Sequence, residues 1–253
     1  MLVISLNFVY NALKGVILLI AFLIGVFYLL LDILRDPSGV DIISAIVGIL
    51  SSLAVIFITM PVHEFAHAWA ATKLGDPTPK YYGRLSLNPF NHIDYMGALC
   101  IILFGFGWAK PVGINPRNFD NVKKGMAITA LAGPLSNIIL AFIAMFIYGG
   151  IFKIYQLCEL EFIFYIAIFF YFIANINVSL AVFNLIPVPP LDGSRLLGVI
   201  LPDRIYYKIM QYERYLYYGV LALIVIGAFD APLRFLTGEI MGLISIIPKL
   251  IFF

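Results

Sequence analysis

An α-helical polytopic membrane protein is the fold this sequence predicts, with about six transmembrane helices and a short β-hairpin or re-entrant segment between spans two and three. Three observations predict it. Of the 253 residues, 62% are hydrophobic and only 12% charged, whereas a soluble domain is about 25% charged. Uncharged apolar runs near the length of a bilayer crossing recur along the chain. Turns rich in Pro, Gly and charged residues separate them. The net charge of +2 is too small to argue for nucleic acid as a partner, so the placement of the basic residues matters more than their sum. Cys100 and Cys158 lie in apolar surroundings and read as buried small hydrophobes, with no disulfide framework and no CxxC pair.

Span one is predicted over roughly 15–31, an uncharged run that ends at Asp32. No small-residue cleavage signature follows it, so it reads as a retained span rather than a signal peptide. The turn from Asp32 to Gly39 carries the Pro and Gly that stop a helix. Span two is roughly 42–74, ending at Gly75-Asp76-Pro77. The segment from Gly75 to Lys124 is rich in Pro, Gly, Asn and basic residues. Within it Met96 to Trp108 is an uncharged stretch of 13 residues, too short for a regular span, and its glycines argue for a hairpin or re-entrant loop beside the core. Span three is roughly 126–151 and span four roughly 162–185. Span four runs into three prolines in four residues, Pro187, Pro189 and Pro190, which cannot continue a helix. A polar helix over 202–215 and a fifth span over 216–229 follow, and 233–253, whose uncharged core is only nine residues, Ile240 to Pro248, reads as a sixth span in preference to an amphipathic surface segment. The whole of 1–253 reads as a single integral membrane domain with a core at about 45–200 and peripheral spans at 10–36 and 203–253.

Seven basic residues lie between spans two and three: Lys73, Lys80, Arg84, Lys110, Arg117, Lys123 and Lys124. Four lie between spans four and five: Arg195, Arg204, Lys208 and Arg214. The other two connections hold only Arg35 and Lys153. By the positive-inside rule the N-terminus and the two basic connections are cytoplasmic. The ends of spans two and four then share one side and one depth.

At the end of span two stands His63-Glu64-Phe65-Ala66-His67. Two histidines four apart share a helix face one turn apart, so both imidazoles can reach one zinc ion. Glu64 between them can act as general base on a water at the metal. The plain alternative is two buried histidines bonded to backbone, with Glu64 paired to a lysine such as Lys73. Two of only three histidines at the end of a span favour the metal. Catalytic zinc usually takes three protein ligands, and the candidates for the third are Asp192, His92 and Asp94. Asp192 follows the prolines at matching depth and is preferred as a ligand over its plain role, the N-cap of a helix starting near Ser194. His92 sits in a turn-rich loop and reads as structural. Asn137 and Asn184 are amides in apolar spans. They suit interhelical hydrogen bonding and substrate binding equally.

His63-Glu64-Phe65-Ala66-His67, Gly133-Pro134-Leu135-Ser136-Asn137 and the segment from Asn184 through Pro187, Pro189 and Pro190 to Asp192-Gly193 resemble, in order and separation, the three signature motifs of the site-2 protease family of intramembrane zinc metalloproteases. The segments 88–94 and 107–116 resemble its minimal prokaryotic branch, without PDZ or CBS domain. The resemblance covers about 45–200. It implies one zinc ion per chain on His63, His67 and Asp192, activation of water by Glu64, and substrate handling by Asn137 and Asn184. It implies a multi-pass protein of a prokaryotic inner membrane with its active site toward the cytoplasm. The lipid bilayer and transmembrane protein substrates would be its partners, and a homo-oligomer or a regulatory membrane partner is left open. A substrate helix would have to unwind, and could add as a strand to the segment between Tyr82 and Pro116. The competing class is a non-proteolytic metal-binding membrane protein, a transporter or chaperone-like binder. A third, an inactive family member, is disfavoured by the presence of Glu64.

Overall fold

The computed structural model describes residues 42–92, 94–97, 110 and 112–253. The predicted first span, 15–31, Cys100, and most of the predicted re-entrant segment, 98–108, lie outside the described residues. Most of the described residues are helical, with no strand among them. Three of their helices are long and apolar enough to cross a membrane: α1, Ile42–Lys73; α4, Val122–Cys158; and α5, Glu161–Asn184. They coincide with predicted spans two, three and four, and they make this an integral membrane protein. Among the described residues between α1 and α4 lie two single α-helical turns, α2 at Thr78–Tyr81 and α3 at Pro89–His92, and a 3-10 turn at Pro116–Asn118. After α5 come α6, Gly193–Ile200, and α7, Asp203–Gln211. The chain closes with α8, Glu213–Val225; α9, Asp230–Ile244; and α10, Ile246–Phe252.

α1 is not a uniform helix. Pro61 has no N–H to give and its ring crowds the carbonyl four residues back. The chain absorbs this in a wide π-helical turn at Val55–Thr59, where the N–H of Met60 bonds the carbonyl of Val55. The extra residue changes the direction in which α1 faces. Its first half packs on α5 and its second half, which carries the histidines, packs on α4. Buried Asn177 of α5 braces the wide turn, donating from Nδ2 to Thr59 Oγ1 at 3.1 Å.

α4 and α5 form the largest helix contact. Ala141, Ala144 and Met145 of α4 meet Ala174, Val178 and Val182 of α5, with Met241 of α9 closing the cluster. Small side chains allow this close approach where lipid supplies no hydrophobic drive. α4 has 37 residues, about 55 Å at 1.5 Å per residue, so it projects beyond the hydrocarbon. Cys158, at its end, is exposed rather than buried, and its thiol donates to the carbonyl of Ile154.

Across the predicted fifth span, 216–229, the helix sits a few residues earlier than expected. α8 has 13 residues, about 20 Å. It stops in a turn at Ile226 and Gly227, the latter with φ +71°. The polar stretch ahead of it is divided, with α7 ending at Gln211 and Tyr212 separating it from α8. The C-terminal region is two helices bent by 40°, α9 and α10, which together are long enough for one broken span. At the other end of α4, Lys123 pairs with Asp203 and donates to the carbonyl of Leu201, joining the two basic connections on one side of the molecule.

Candidate metal centre

α1 delivers His63 and His67 from one face, and the break after α5 delivers Asp192. The break is compact because its turns use the N–H groups of Ile186, Val188 and Leu191. The three prolines occupy positions that donate nothing. Gly193 begins α6 hard against the end of α5. A Cβ there would stand 2.6 Å from the carbonyl oxygen of Ile186. Asp192 takes the N-cap position of α6, but its side chain makes no capping bond. Its carboxylate turns instead to the histidines, with Oδ2 3.3 Å from His63 Nε2 and 3.2 Å from His67 Nε2. The two Nε2 atoms are 3.0 Å apart.

The His67 tautomer follows from its second partner. Nδ1 lies 2.7 Å from the carbonyl of Thr129. A carbonyl only accepts, so Nδ1 carries the hydrogen and a neutral His67 points the Nε2 lone pair at Asp192. Three potential ligand atoms thus converge within 3.3 Å. Tetrahedral donors about 2.0–2.1 Å from one zinc ion stand about 3.3 Å apart. Donor chemistry and spacing therefore fit a zinc ion. Among the described residues, His63, His67 and Asp192 form the metal-capable group.

Gly133 of α4 makes this contact possible. A Cβ at Gly133 would stand 2.6 Å from His63 Cε1 and press on the His67 ring. The next residue, Pro134, leaves the carbonyl of Ala130 without its helical donor and loosens the turn beside Thr129. Gly133→Ala is expected to fold and to lose zinc affinity by about 10- to 100-fold, the range seen when a ligand's support is disturbed. Competition with a chromogenic chelator measures it, and unchanged affinity would show that the ring contact is not needed.

The other predicted residues divide. Glu64, 8% exposed, shares with the triad a cavity of ≈ 540 Å³ that Asn137 and Asn184 also line. Among the described residues Glu64 makes no ion pair, so the pairing with Lys73 does not occur. Asn137 is buried with its Oδ1 unpartnered. His92 and Asp94 stay outside the metal-capable group. His92 is fully buried, with Nε2 2.6 Å from the carbonyl of Ser86. Asp94 accepts from the N–H of Gly97. Sequence reasoning passed over Asn177 and Thr129. Asn177 left a signal, because it lies seven residues before Asn184 on one helix face. Thr129 left none, because it acts through its backbone.

The description "Peptidase family M50" belongs to the family model that matches residues 148–227. "Putative zinc metalloprotease YwhC" of Bacillus subtilis is 38% identical over 170 residues, 67% of this chain and 78% of that protein. "Putative zinc metalloprotease MJ0611" of Methanocaldococcus jannaschii is 46% identical over 137 residues, 53% of this chain and 62% of that protein. "Putative zinc metalloprotease Rip2" of Mycolicibacterium smegmatis is 29% identical over 168 residues, 64% of this chain and 59% of that protein. The chain thus spans about three fifths of the length of the last two. No solved structure matches it. On the family model and the Bacillus relative together, the chain belongs to peptidase family M50, the site-2 protease family that its three motifs resemble.

Proposed function

We propose that this chain is an intramembrane zinc metalloendopeptidase that cleaves membrane-spanning protein substrates, as in regulated intramembrane proteolysis. The carrying observation is the convergence of two imidazole nitrogens and one carboxylate oxygen within 3.3 Å, in a cavity shared with a free glutamate. The names of three relatives agree with it. His63, His67 and Asp192 hold one zinc ion per chain. When bound, zinc supplies the positive charge that polarises a carbonyl and makes water acidic enough to serve as nucleophile near neutral pH. Glu64 takes the proton from the attacking water and returns it to the leaving amine, so it ends the cycle unchanged. Asn137, with an unpartnered acceptor, receives a main-chain N–H of the extended substrate, and Asn184 holds the same strand further along the cavity. The non-proteolytic reading needs ionisable groups along a path through several spans. Between their ends α4 and α5 carry no Asp or Glu, and only Lys153 near the far end of α4.

The same proposal takes 1–253 as one membrane protease unit with a catalytic core at about 45–200. It counts six spans in a prokaryotic inner membrane, adding 15–31 and taking α8 with the turn behind it as the fifth and α9 with α10 as the sixth. A hairpin lies between the second and third, and the site opens toward the cytoplasm. Lys123 and its pairing with Asp203 support this by placing both basic connections at one end. Side-of-membrane reporters fused after residues 37, 120, 160, 205 and 230 are expected to read outside, inside, outside, inside, outside. An inside reading at 160 would defeat the orientation. The function itself is tested with detergent-purified protein and a panel of single-span substrates, with zinc measured in the same samples. Zinc near one per chain with cleavage supports the reading, and freshly prepared protein without zinc overturns it.

A further inference from the structure

Asp76 lies just past the end of α1, outside the metal centre, and is fully buried. Its N–H bonds the carbonyl of Ala71, so it rides rigidly on the helix that carries the histidines. Burial of a carboxylate is costly unless donors surround it, and here they do. Oδ1 accepts from the N–H and the hydroxyl of Thr78, at 3.0 and 2.5 Å, and from Asn118 Nδ2 at 2.7 Å. Oδ2 accepts from the N–H of Asn115 at 2.7 Å. Burial alone would push this carboxyl up, but these donors hold it below the usual carboxylate range.

Two of the four donors belong to the strap 112–118, far along the chain, which ends in a single 3-10 turn at Pro116–Asn118. Val112 and Ile114 of the strap line the cavity that holds His63, Glu64, His67 and Asp192. At its start the strap is tied by the N–H of Lys110 to the carbonyl of His92, and at its end buried Phe119 fits against Gly125 of α4. Asp76 is the tie between these, and it connects the strap directly to α1. The chemistry requires a carboxylate. An amide would turn its NH2 toward either the Asn115 N–H or the donors of Thr78 and Asn118.

We propose that Asp76 is a positioning residue that fixes the 112–118 strap as one wall of the substrate channel and so sets how tightly an extended peptide is held. This rests on the peptidase reading. Asp76 touches neither the metal triad nor the cavity, and its influence passes through Asn115 and Asn118.

The test uses the full chain in detergent, as wild type, Asp76→Asn and Thr78→Val. Amide hydrogen exchange, bound zinc, and kcat and KM on a single-span substrate are measured together. Asp76→Asn is expected to speed exchange in 112–118 while α1 and α4 stay protected. Zinc should remain at the wild-type level, KM rise about tenfold, and kcat change by less than about threefold. Thr78→Val removes one donor and keeps the carboxylate, so it should shift KM in the same direction by less, and it carries the test if Asp76→Asn does not fold. Unchanged exchange overturns the proposal. So does a loosened strap with unchanged KM, or loss of zinc in Asp76→Asn. A wild type that cleaves nothing defeats the peptidase reading instead, while the exchange contrast still decides whether Asp76 holds the strap.

Discussion

Glu64→Gln is expected to bind zinc at the wild-type level and to cleave about 10²- to 10⁴-fold more slowly, the usual worth of a positioned general base. The substitution keeps the size and shape of the side chain and removes only its capacity to take a proton. Zinc binding is spared because Glu64 stands outside the group of converging donors. The fold is spared because, among the described residues, Glu64 holds no ion pair that the change would break. KM should move little, since Glu64 acts on the proton and not on the peptide. Parallel measurement of zinc, kcat and KM in one preparation decides the matter, and full activity in Glu64→Gln would sink the mechanism.

Asp192→Ala should lose both metal and activity. It removes one of three donors that stand 3.0–3.3 Å apart, leaving two imidazoles one turn apart on α1. Disturbing only the support of a ligand costs about 10- to 100-fold in metal affinity, so deleting the ligand itself should exceed that range. The helix that follows should survive. Asp192 makes no capping bond, and the turn is held by the backbone, with the N–H of Arg195 on the Asp192 carbonyl. An unchanged circular dichroism spectrum with zinc below detection is the expected pair of results. Bound zinc at one per chain would remove Asp192 from the ligand set.

These two residues differ in how they could be read. His63, Glu64 and His67 are adjacent in sequence, and helical periodicity alone places the two histidines on one face. Asp192 is 125 residues beyond His67, and only the charge asymmetry of the connections placed it at the same depth. The long spans α1, α4 and α5 were legible because lipid demands an uninterrupted apolar length. The fifth was placed a few residues too late because hydropathy does not reveal that a turn at Ile226–Gly227 ends the helix. The support for His67 was not legible at all, since a backbone carbonyl has the same identity at every residue. Asp76 was hidden for a related reason. Its partners Asn115 and Asn118 are 39 and 42 residues away, and only the folded chain brings them together. Pro61, by contrast, stood in plain view inside a predicted span, and it marks the place where the helix changes pitch.

That change of pitch makes helical phase a property under constraint. An α-helix advances about 100° per residue. One residue more or fewer between Val55 and Met60 would swing His63, Glu64 and His67 by more than a quarter turn, away from Asp192, with every ligand intact and the apolar length nearly unchanged. The exposed aliphatics of this span, among them Ile46, Leu50 and Ile58, face outward and can exchange among Ile, Leu and Val at little cost. Drift in this helix should therefore be permissive in side-chain chemistry and strict in residue count, with single insertions and deletions between the wide turn and His63 as damaging as loss of a ligand.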